Sequence, residues 1–290
     1  MALNNHAIML GMSRAGTTYM YHIFSQHPES FVPIKKEIGF YSHHYQNGLQ
    51  WYEGFFKQAK HKEKTIDICG VYFSVDASLD RLINTDKNTK FILCLRDPYE
   101  WIFSLYEHYD KQFKIPRFSN FLDGCVINRE NTSFQLNFNN NQISEKIRKY
   151  QAEFGDRLFI YDFNYFQSNP LAVVQALEKF LNLKPHFNSE NIITEKVNVR
   201  GASNLSMLYK MLNKSGLSKL ITTILPKPLV VETRRFIERR ATKKIKKIQK
   251  EYTDIEHNKV KDMFNADHQF YNEIFKNSPI IDGNGRAFKQ

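Results

Sequence analysis

Short apolar runs alternate with amphipathic stretches along the first two-thirds of this chain. Residues 7–10 (Ala-Ile-Met-Leu) are uninterrupted apolar positions that stop at Gly11, the pattern of a strand buried on both faces. From Thr17 onward Met20, Ile23, Phe24 and His27 fall on one helical face, and Pro28 ends the helix. Residues 30–33 predict a second short strand. Residues 66–73 alternate in part and are rich in β-branched side chains, so they predict a third; residues 90–95 predict a fourth. Asp97-Pro98-Tyr99-Glu100 follows: Asp97 can cap a helix, Pro98 suits its first position, and Glu100 can complete a capping box. That helix should run to about Phe113. Residues 157–161 predict a fifth strand and residues 171–183 an amphipathic helix. Beyond about Ser203 the pattern is mostly helical, broken at Leu225-Pro226-Lys227-Pro228. Strands alternating with helices predict an α/β fold, a central parallel sheet flanked by helices. The expected organisation is one domain over residues 1–290, with an α/β core at 1–205 and a helical C-terminal extension at 206–290. In such a fold the site lies in the loops at the C-terminal ends of the strands.

Charge sharpens this picture. Lys and Arg number 41 against 30 Asp and Glu, a formal net charge of +11. That excess predicts an anionic partner: a nucleotide, an acidic glycan, a nucleic acid or a membrane surface. The three cysteines, Cys69, Cys94 and Cys125, are odd in number and unpatterned, so neither a disulfide framework nor a zinc site is expected. The N-terminus lacks a basic leader, the apolar run at 7–12 is too short for a signal core, and no stretch reaches the length of a membrane span. The expectation is a cytoplasmic protein. Residues 234–250 are strongly basic, with Ile237, Ala241, Ile245 and Ile248 on one stripe. Such a helix could meet an anionic membrane or polysaccharide, or it could be the solvated face of a packed helix.

Two loops carry candidate anion chemistry. Gly11-Met12-Ser13-Arg14-Ala15-Gly16-Thr17-Thr18 links the first strand to its helix. Glycines allow a tight turn, and free amides at a helix N-terminus favour phosphate-like groups. Gly11, Gly16 and Thr18 fit the spacing of an NTP-binding loop, but Thr17 stands where that loop needs lysine, so a γ-phosphate and Mg²⁺ arrangement is not expected. The cation here is Arg14 instead. Arg96 closes the fourth strand and Ser104 lies about two helical turns beyond it. A guanidinium and a hydroxyl can grip a phosphate; the competing arrangement is an Arg96–Asp97 surface pair with Ser104 facing a neighbour.

Ser13-Arg14-Ala15-Gly16-Thr17-Thr18, with Gln26-His27-Pro28 behind it, resembles the 5′-phosphosulfate loop of PAPS-dependent sulfotransferases, the carbohydrate and heparan-sulfate type included. Ala15 replaces the usual serine. The resemblance implies the sulfotransferase version of the P-loop NTPase-like fold, with PAPS (3′-phosphoadenosine 5′-phosphosulfate) as donor, PAP as product and no metal. It implies that Arg14, Ala15, Gly16, Thr17 and Thr18 hold the 5′-phosphosulfate, while Arg96 and Ser104 hold the 3′-phosphate. Lys35-Lys36-Glu37-Ile38-Gly39-Phe40-Tyr41 is similar to the Lys-Glu-x-x-Phe-Phe segment in which the glutamate is the base, although Gly39 replaces a common histidine. A partly dry carboxylate with a raised pKa would suit that role. In an extended segment Lys35 would share Glu37's face and Lys36 would take the other. His43, His44 and His108 are rival bases, since small-molecule sulfotransferases use histidine. Residues 159–163, 169–170 and 180–183 also resemble the family. The loop at 197–201 resembles one that closes over the donor and puts Arg200 near a phosphate.

The expected activity is in-line sulfuryl transfer to a hydroxyl or amine of a carbohydrate, polyol or small metabolite, with Glu37 as base and Arg14 stabilising charge. No nucleic-acid partner is expected. The alternatives are a nucleotide or nucleoside kinase with a degenerate phosphate loop, and a non-enzymatic polyanion-binding protein.

Overall fold

A computed structural model describes residues 3, 5–59, 64–113, 117–129, 132–136, 138, 142–192 and 252–288. Arg200, the loop at 197–201, the break at 225–228 and the basic stretch at 234–250 lie outside the described residues.

The apolar run at the start becomes β1 (His6–Gly11), every residue of it buried. It is followed by α1 (Thr17–Gln26) and β2 (Ser30–Phe31). A short helix, α2 (Leu49–Glu53), leads to β3 (Lys64–Ile68), then α3 (Ala77–Ile83) and β4 (Lys90–Leu95). The next helices are α4 (Pro98–Phe113) and α5 (Phe118–Leu122). An antiparallel hairpin of β5 (Cys125–Arg129) and β6 (Thr132–Leu136) follows. The core closes with α6 (Gln142–Phe154), β7 (Leu158–Asp162), α7 (Phe163–Ser168) and α8 (Pro170–Leu181). At the C-terminal end come α9 (Asp254–Ile274) and β8 (Ile280–Asp282).

Six strands form one sheet in the order β2-β3-β1-β4-β7-β8. The first five run parallel and β8 is antiparallel to β7. Strands buried on both faces need apolar side chains at every position, which is why β1 and β4 read as unbroken runs. β1 lies at the centre, so the turn after it emerges between the turns after β3 and β4. That is where an open α/β sheet places its ligands.

The sequence reading and the structure differ at several places. The third strand stops at Ile68 and the chain turns at Gly70 instead of running to Phe73. The turn is needed because Gly70 passes close beneath Ser13; a Cβ on Gly70 would sit 3.1 Å from Ser13 Oγ. Asp97 does cap α4, its Oδ1 accepting from Tyr99 N–H at 2.8 Å. Glu100 turns instead to Arg96, with 3.3 Å between charged atoms, so the capping box is not reciprocated. The C-terminal part also adds a strand, β8, to the helix expected there.

α9 is tied to the core at several points. Its Thr253 and Glu256 form a reciprocal capping box. Fully buried Asp267 accepts from the Ser144 amide at 2.8 Å and the Ile143 amide at 3.4 Å, capping α6 from a distant part of the chain. His268 meets Asp97 at 2.9 Å and stacks on Tyr99 at 4.1 Å. No helix among the described residues is long and apolar enough to cross a membrane. Asp267→Ala removes the cap and strands two buried amides, so it should cost about 1–3 kcal/mol. A clearly lowered Tm in thermal denaturation checks this.

Candidate functional site

The turn between β1 and α1 is held in an unusual shape. Gly16 precedes α1 with φ +81°, and a Cβ there would lie 2.7 Å from the Phe166 ring on α7. Only glycine fits both demands. Arg14 is also left-handed, at φ +68°. Trp101 Nε1–H donates to Ser13 O at 3.0 Å, Arg96 donates to Arg14 O at 3.2 Å, and Ser13 Oγ–H donates to Gly70 O at 2.9 Å. The turn is therefore clamped from β4, α4 and the end of β3. No side chain caps α1. Its first-turn amides, which have no partner within the helix, open toward this turn.

Cations from three separate segments converge here. Arg14 Nε–H donates to the buried Ser104 hydroxyl on α4 at 3.3 Å. Arg96 lies over the Phe163 ring at 5.0 Å while it holds Arg14 O. From the loop after β2, Lys36 Nζ reaches Thr17 Oγ1 at 3.3 Å and also pairs with the Glu37 carboxylate. Thr17 occupies the lysine position of an NTP-binding loop, and Lys36 brings an ammonium to that threonine from another strand. Two sets of contacts thus meet at one turn: Arg14 with Ser104 and Arg96, and Thr17 with Lys36 and Glu37.

A family model described as a sulfotransferase domain matches residues 4–264. The chain belongs to this family. Among curated relatives, the membrane-associated sulfotransferase kil1 of Dictyostelium discoideum is 35% identical over 109 residues, 37% of this chain and 23% of that protein. Heparan sulfate glucosamine 3-O-sulfotransferase 5 of Mus musculus is 22% identical over 196 residues, 64% of this chain and 56% of its own length. The chain therefore spans about half of the second relative or less than a quarter of the first. A crystal structure of a sulfotransferase from Alicyclobacillus acidocaldarius superposes with a TM-score of 0.51 at 17% identity, covering 75% of this chain and 94% of the other. The sheet and its helices thus form the sulfotransferase fold.

Within this sulfotransferase domain, Glu37 occupies a tight turn at φ +59°. A left-handed non-glycine residue costs roughly 1–3 kcal/mol and needs anchors. They are present: Glu37 N–H donates to Ile68 O at 3.2 Å, and Gly70 N–H donates to Glu37 Oε2 at 2.7 Å. The left-handed turn breaks the alternation expected of an extended segment. Lys36, not Lys35, becomes the partner of Glu37, and Lys35 lies over Trp51 and Phe55 at 5.6 and 5.3 Å.

The electrostatics of Glu37 run opposite to the expected raised pKa. Burial pushes its carboxyl up, but the Lys36 ammonium, the Gly70 amide and the Cys69 thiol outweigh it and hold the pKa below the ordinary 4.5. The Glu37 side chain still exposes 36% of its surface, so solvent and a substrate can reach it. A depressed acid stabilises the fold above its ordinary pKa and loses that contribution as pH falls through the depressed value.

Ala15 is buried and spends its amide on Met12 O at 3.1 Å, so the cradle amides come from the residues after it. Of the rival histidines, His44 packs against Trp51 at 5.4 Å and His108 against Tyr109 at 5.4 Å. Sequence reasoning did not find Trp101, Ser13 or Gly70 as supports of the turn. The glycine closing the Ile-Asp-Ile-Cys-Gly run was the one available signal. Asp97 pairs with His268, while Arg96 reaches both the Arg14 carbonyl and Glu100. Replacing Lys36 by methionine leaves burial less opposed, so Glu37 should titrate at higher pH than in the parent protein. A carboxyl-carbon NMR titration with Glu37→Gln as the assignment control reads this directly; an unmoved Glu37 resonance would show that Lys36 does not set its charge.

Proposed function

We propose that this chain transfers a sulfuryl group from PAPS to a hydroxyl or amine of a carbohydrate, polyol or small-metabolite acceptor, releasing PAP. The observation that carries the reading is the junction of two anion grips with one carboxylate. Arg14 and the uncapped start of α1 form the first grip; Arg96, which holds the Arg14 carbonyl, and Ser104, which accepts from Arg14, are the groups read as the second; Glu37 stands beside the first through Lys36. Two grips on neighbouring turns suit a nucleotide phosphorylated at both its 3′ and 5′ positions.

PAPS supplies the sulfuryl group. The chain's residues do the rest. Arg14 and the amides of Gly16, Thr17 and Thr18 bind and polarise the 5′ end, and Arg96 with Ser104 anchors the 3′-phosphate. Glu37 takes the acceptor's proton as the new bond to sulfur forms and the bond from sulfur to the donor's bridging oxygen breaks. Lys36, 3.3 Å from Thr17 and paired with Glu37, stands where it can offset charge growing on that oxygen. The low pKa of Glu37 keeps it ionised at neutral pH, so the base is ready without prior deprotonation. A glycan acceptor is favoured by the Lys-Glu-x-x-Phe-Tyr segment around Glu37. The murine relative, whose name carries a heparan sulfate acceptor, supports the same choice.

Calorimetric titration with PAP, beside ATP and AMP without Mg²⁺, tests the donor site. PAP should bind in preference to both, and Arg96→Ala should lose about ten- to a hundredfold in affinity, the worth of charge-assisted hydrogen bonds. Equal or better binding of ATP would move a kinase reading to the front. Separately, Glu37→Gln should lower turnover by about 10²–10⁴-fold while PAP still binds. Near-normal turnover in that variant would remove Glu37 as base.

A further inference from the structure

Behind Glu37 lies a buried carboxyl that the proposed chemistry does not use. Asp67, on β3, is 1% exposed. Its Oδ2 accepts from the Tyr72 hydroxyl at 2.7 Å and from the Tyr52 hydroxyl at 3.0 Å. Its Oδ1 is buried without a hydrogen-bond partner. His6 Nε2 lies 2.8 Å from the same Tyr52 hydroxyl, and His6 Nδ1 lies 2.8 Å from Thr65 Oγ1. An acid inside the sheet, with two phenols on one oxygen, is expensive to keep. Apolar residues would fill the space at lower cost.

The two tyrosines explain what Asp67 holds. Tyr72 OH accepts the Phe40 N–H at 3.0 Å, and the Tyr52 ring stacks on the Phe40 ring, centroids 4.6 Å apart and planes 15° apart. Phe40 ends the turn that begins at Glu37, a turn with two left-handed residues, Glu37 and Gly39. Its start is fixed by Ile68, one residue beyond Asp67 at the end of β3, and by Gly70 in the turn that follows. Its end is fixed by Phe40, gripped by both phenols that Asp67 orients.

We propose that Asp67 is a positioning residue for Glu37: through Tyr52 and Tyr72 it locks Phe40, and so holds the strained turn that aims the Glu37 carboxylate. The proposal rests on the reading of Glu37 as the base. The groups facing Asp67 are Tyr72 and Tyr52 by hydrogen bonds, Glu37, Lys36, Tyr41 and Cys69 by charge, and His6 through Tyr52. Burial, with the charge of Glu37, pushes its carboxyl up to about 7 against the pull of the two phenols and Lys36. Burial, with Lys64, lowers His6 to about 3, so the ring beyond Tyr52 is neutral. Below neutral pH Asp67 is therefore increasingly protonated and adds less negative charge behind an ionised Glu37, so it can orient the turn with little opposition to the base.

The test compares Tyr72→Phe, Asp67→Ala and Asp67→Asn in the full chain. Tyr72→Phe deletes one oxygen and serves if Asp67→Ala does not fold. Three quantities are read: amide exchange at Phe40 by NMR, PAP affinity, and kcat and KM for sulfation of a desulfated heparan sulfate probe with PAPS. Tyr72→Phe and Asp67→Ala should speed Phe40 exchange at least tenfold. They should lower kcat about ten- to a hundredfold, the scale of a misplaced catalytic group, with PAP affinity and KM little changed. Asp67→Asn, which keeps shape and an accepting oxygen, should recover most of both losses. Unchanged Phe40 exchange and kcat in Tyr72→Phe would overturn the proposal, as would a parallel loss of PAP binding, which marks a general structural role. If the parent chain does not sulfate this probe, the heparan sulfate acceptor is wrong and the kinetic arm is silent on Asp67. Phe40 exchange and the Glu37 NMR titration in the variants then decide the positioning by themselves.

Discussion

The close approach of two chain turns at the C-terminal edge of the sheet is the constraint on which the site depends. A Cβ on Gly11 would lie 2.8 Å from Gly70 O, and one on Gly70 would press on Ser13. With neither present, Ser13 can donate to Gly70 O while Gly70 N–H donates to Glu37. One dipeptide turn thus joins the Arg14 loop to the Glu37 loop through its carbonyl on one side and its amide on the other. A side chain at Gly11 or Gly70 would push the two loops apart and separate the cations from the carboxylate by the same shift. Interiors transmit such displacements because they are close-packed.

Charge is distributed around that junction in a way that explains both the basic composition and its location. Arg14, Lys36 and Arg96 come from the turns after β1, β2 and β4, and each also makes a structural contact: with Ser104, with Thr17, or with Arg14 O. Such contacts keep rotamers fixed before any anion arrives, so less conformational entropy remains to be lost on binding. Lys36 serves two ends, since the ammonium that reaches Thr17 is also the one that keeps Glu37 ionised. In the proposed mechanism a weakened base is the cost of this arrangement. A carboxylate already charged at neutral pH, and an ammonium aimed at the loop, are its return.

Much of this was legible in the sequence. β4 has the predicted bounds, α4 ends at the predicted Phe113, and α1 starts at Thr17. In each case a local signal sufficed: an apolar run, an Asp-Pro cap, or a glycine before a helix. Arg14, Arg96 and Ser104 were each singled out because they lie in or just after short motifs at strand ends, but the bond from Arg14 to Ser104 and that from Arg96 to the Arg14 carbonyl were not anticipated. Long-range geometry was not legible. The β5–β6 hairpin lacks a tight-turn signature, and β8 is three residues long and gains its identity only from β7. The choice of Lys36 over Lys35 hinged on one positive φ at Glu37, a conformation that propensity disfavours and that Ile68 and Gly70 impose. The direction of the Glu37 pKa followed from the same turn. An extended segment would have left the carboxylate among aromatics, whereas the real one sets it against an ammonium.

The division between what the sequence shows and what it hides matches a division of labour in the fold. The proposed anion binding uses backbone turns and strand-end cations, which are local and read as short motifs. Aim of the carboxylate uses contacts spread over β1, α2, β3 and the turn beyond it: His6, Tyr52, Asp67 and Tyr72. None of these is a motif, and each alone has an ordinary structural explanation as a buried polar group that found a partner. Only their common endpoint, the backbone and ring of Phe40, distinguishes them from core packing. In the proposed mechanism the donor grip is therefore written in short segments, while the geometry of the base depends on the core. Substitutions in that core can then alter turnover without touching either anion grip.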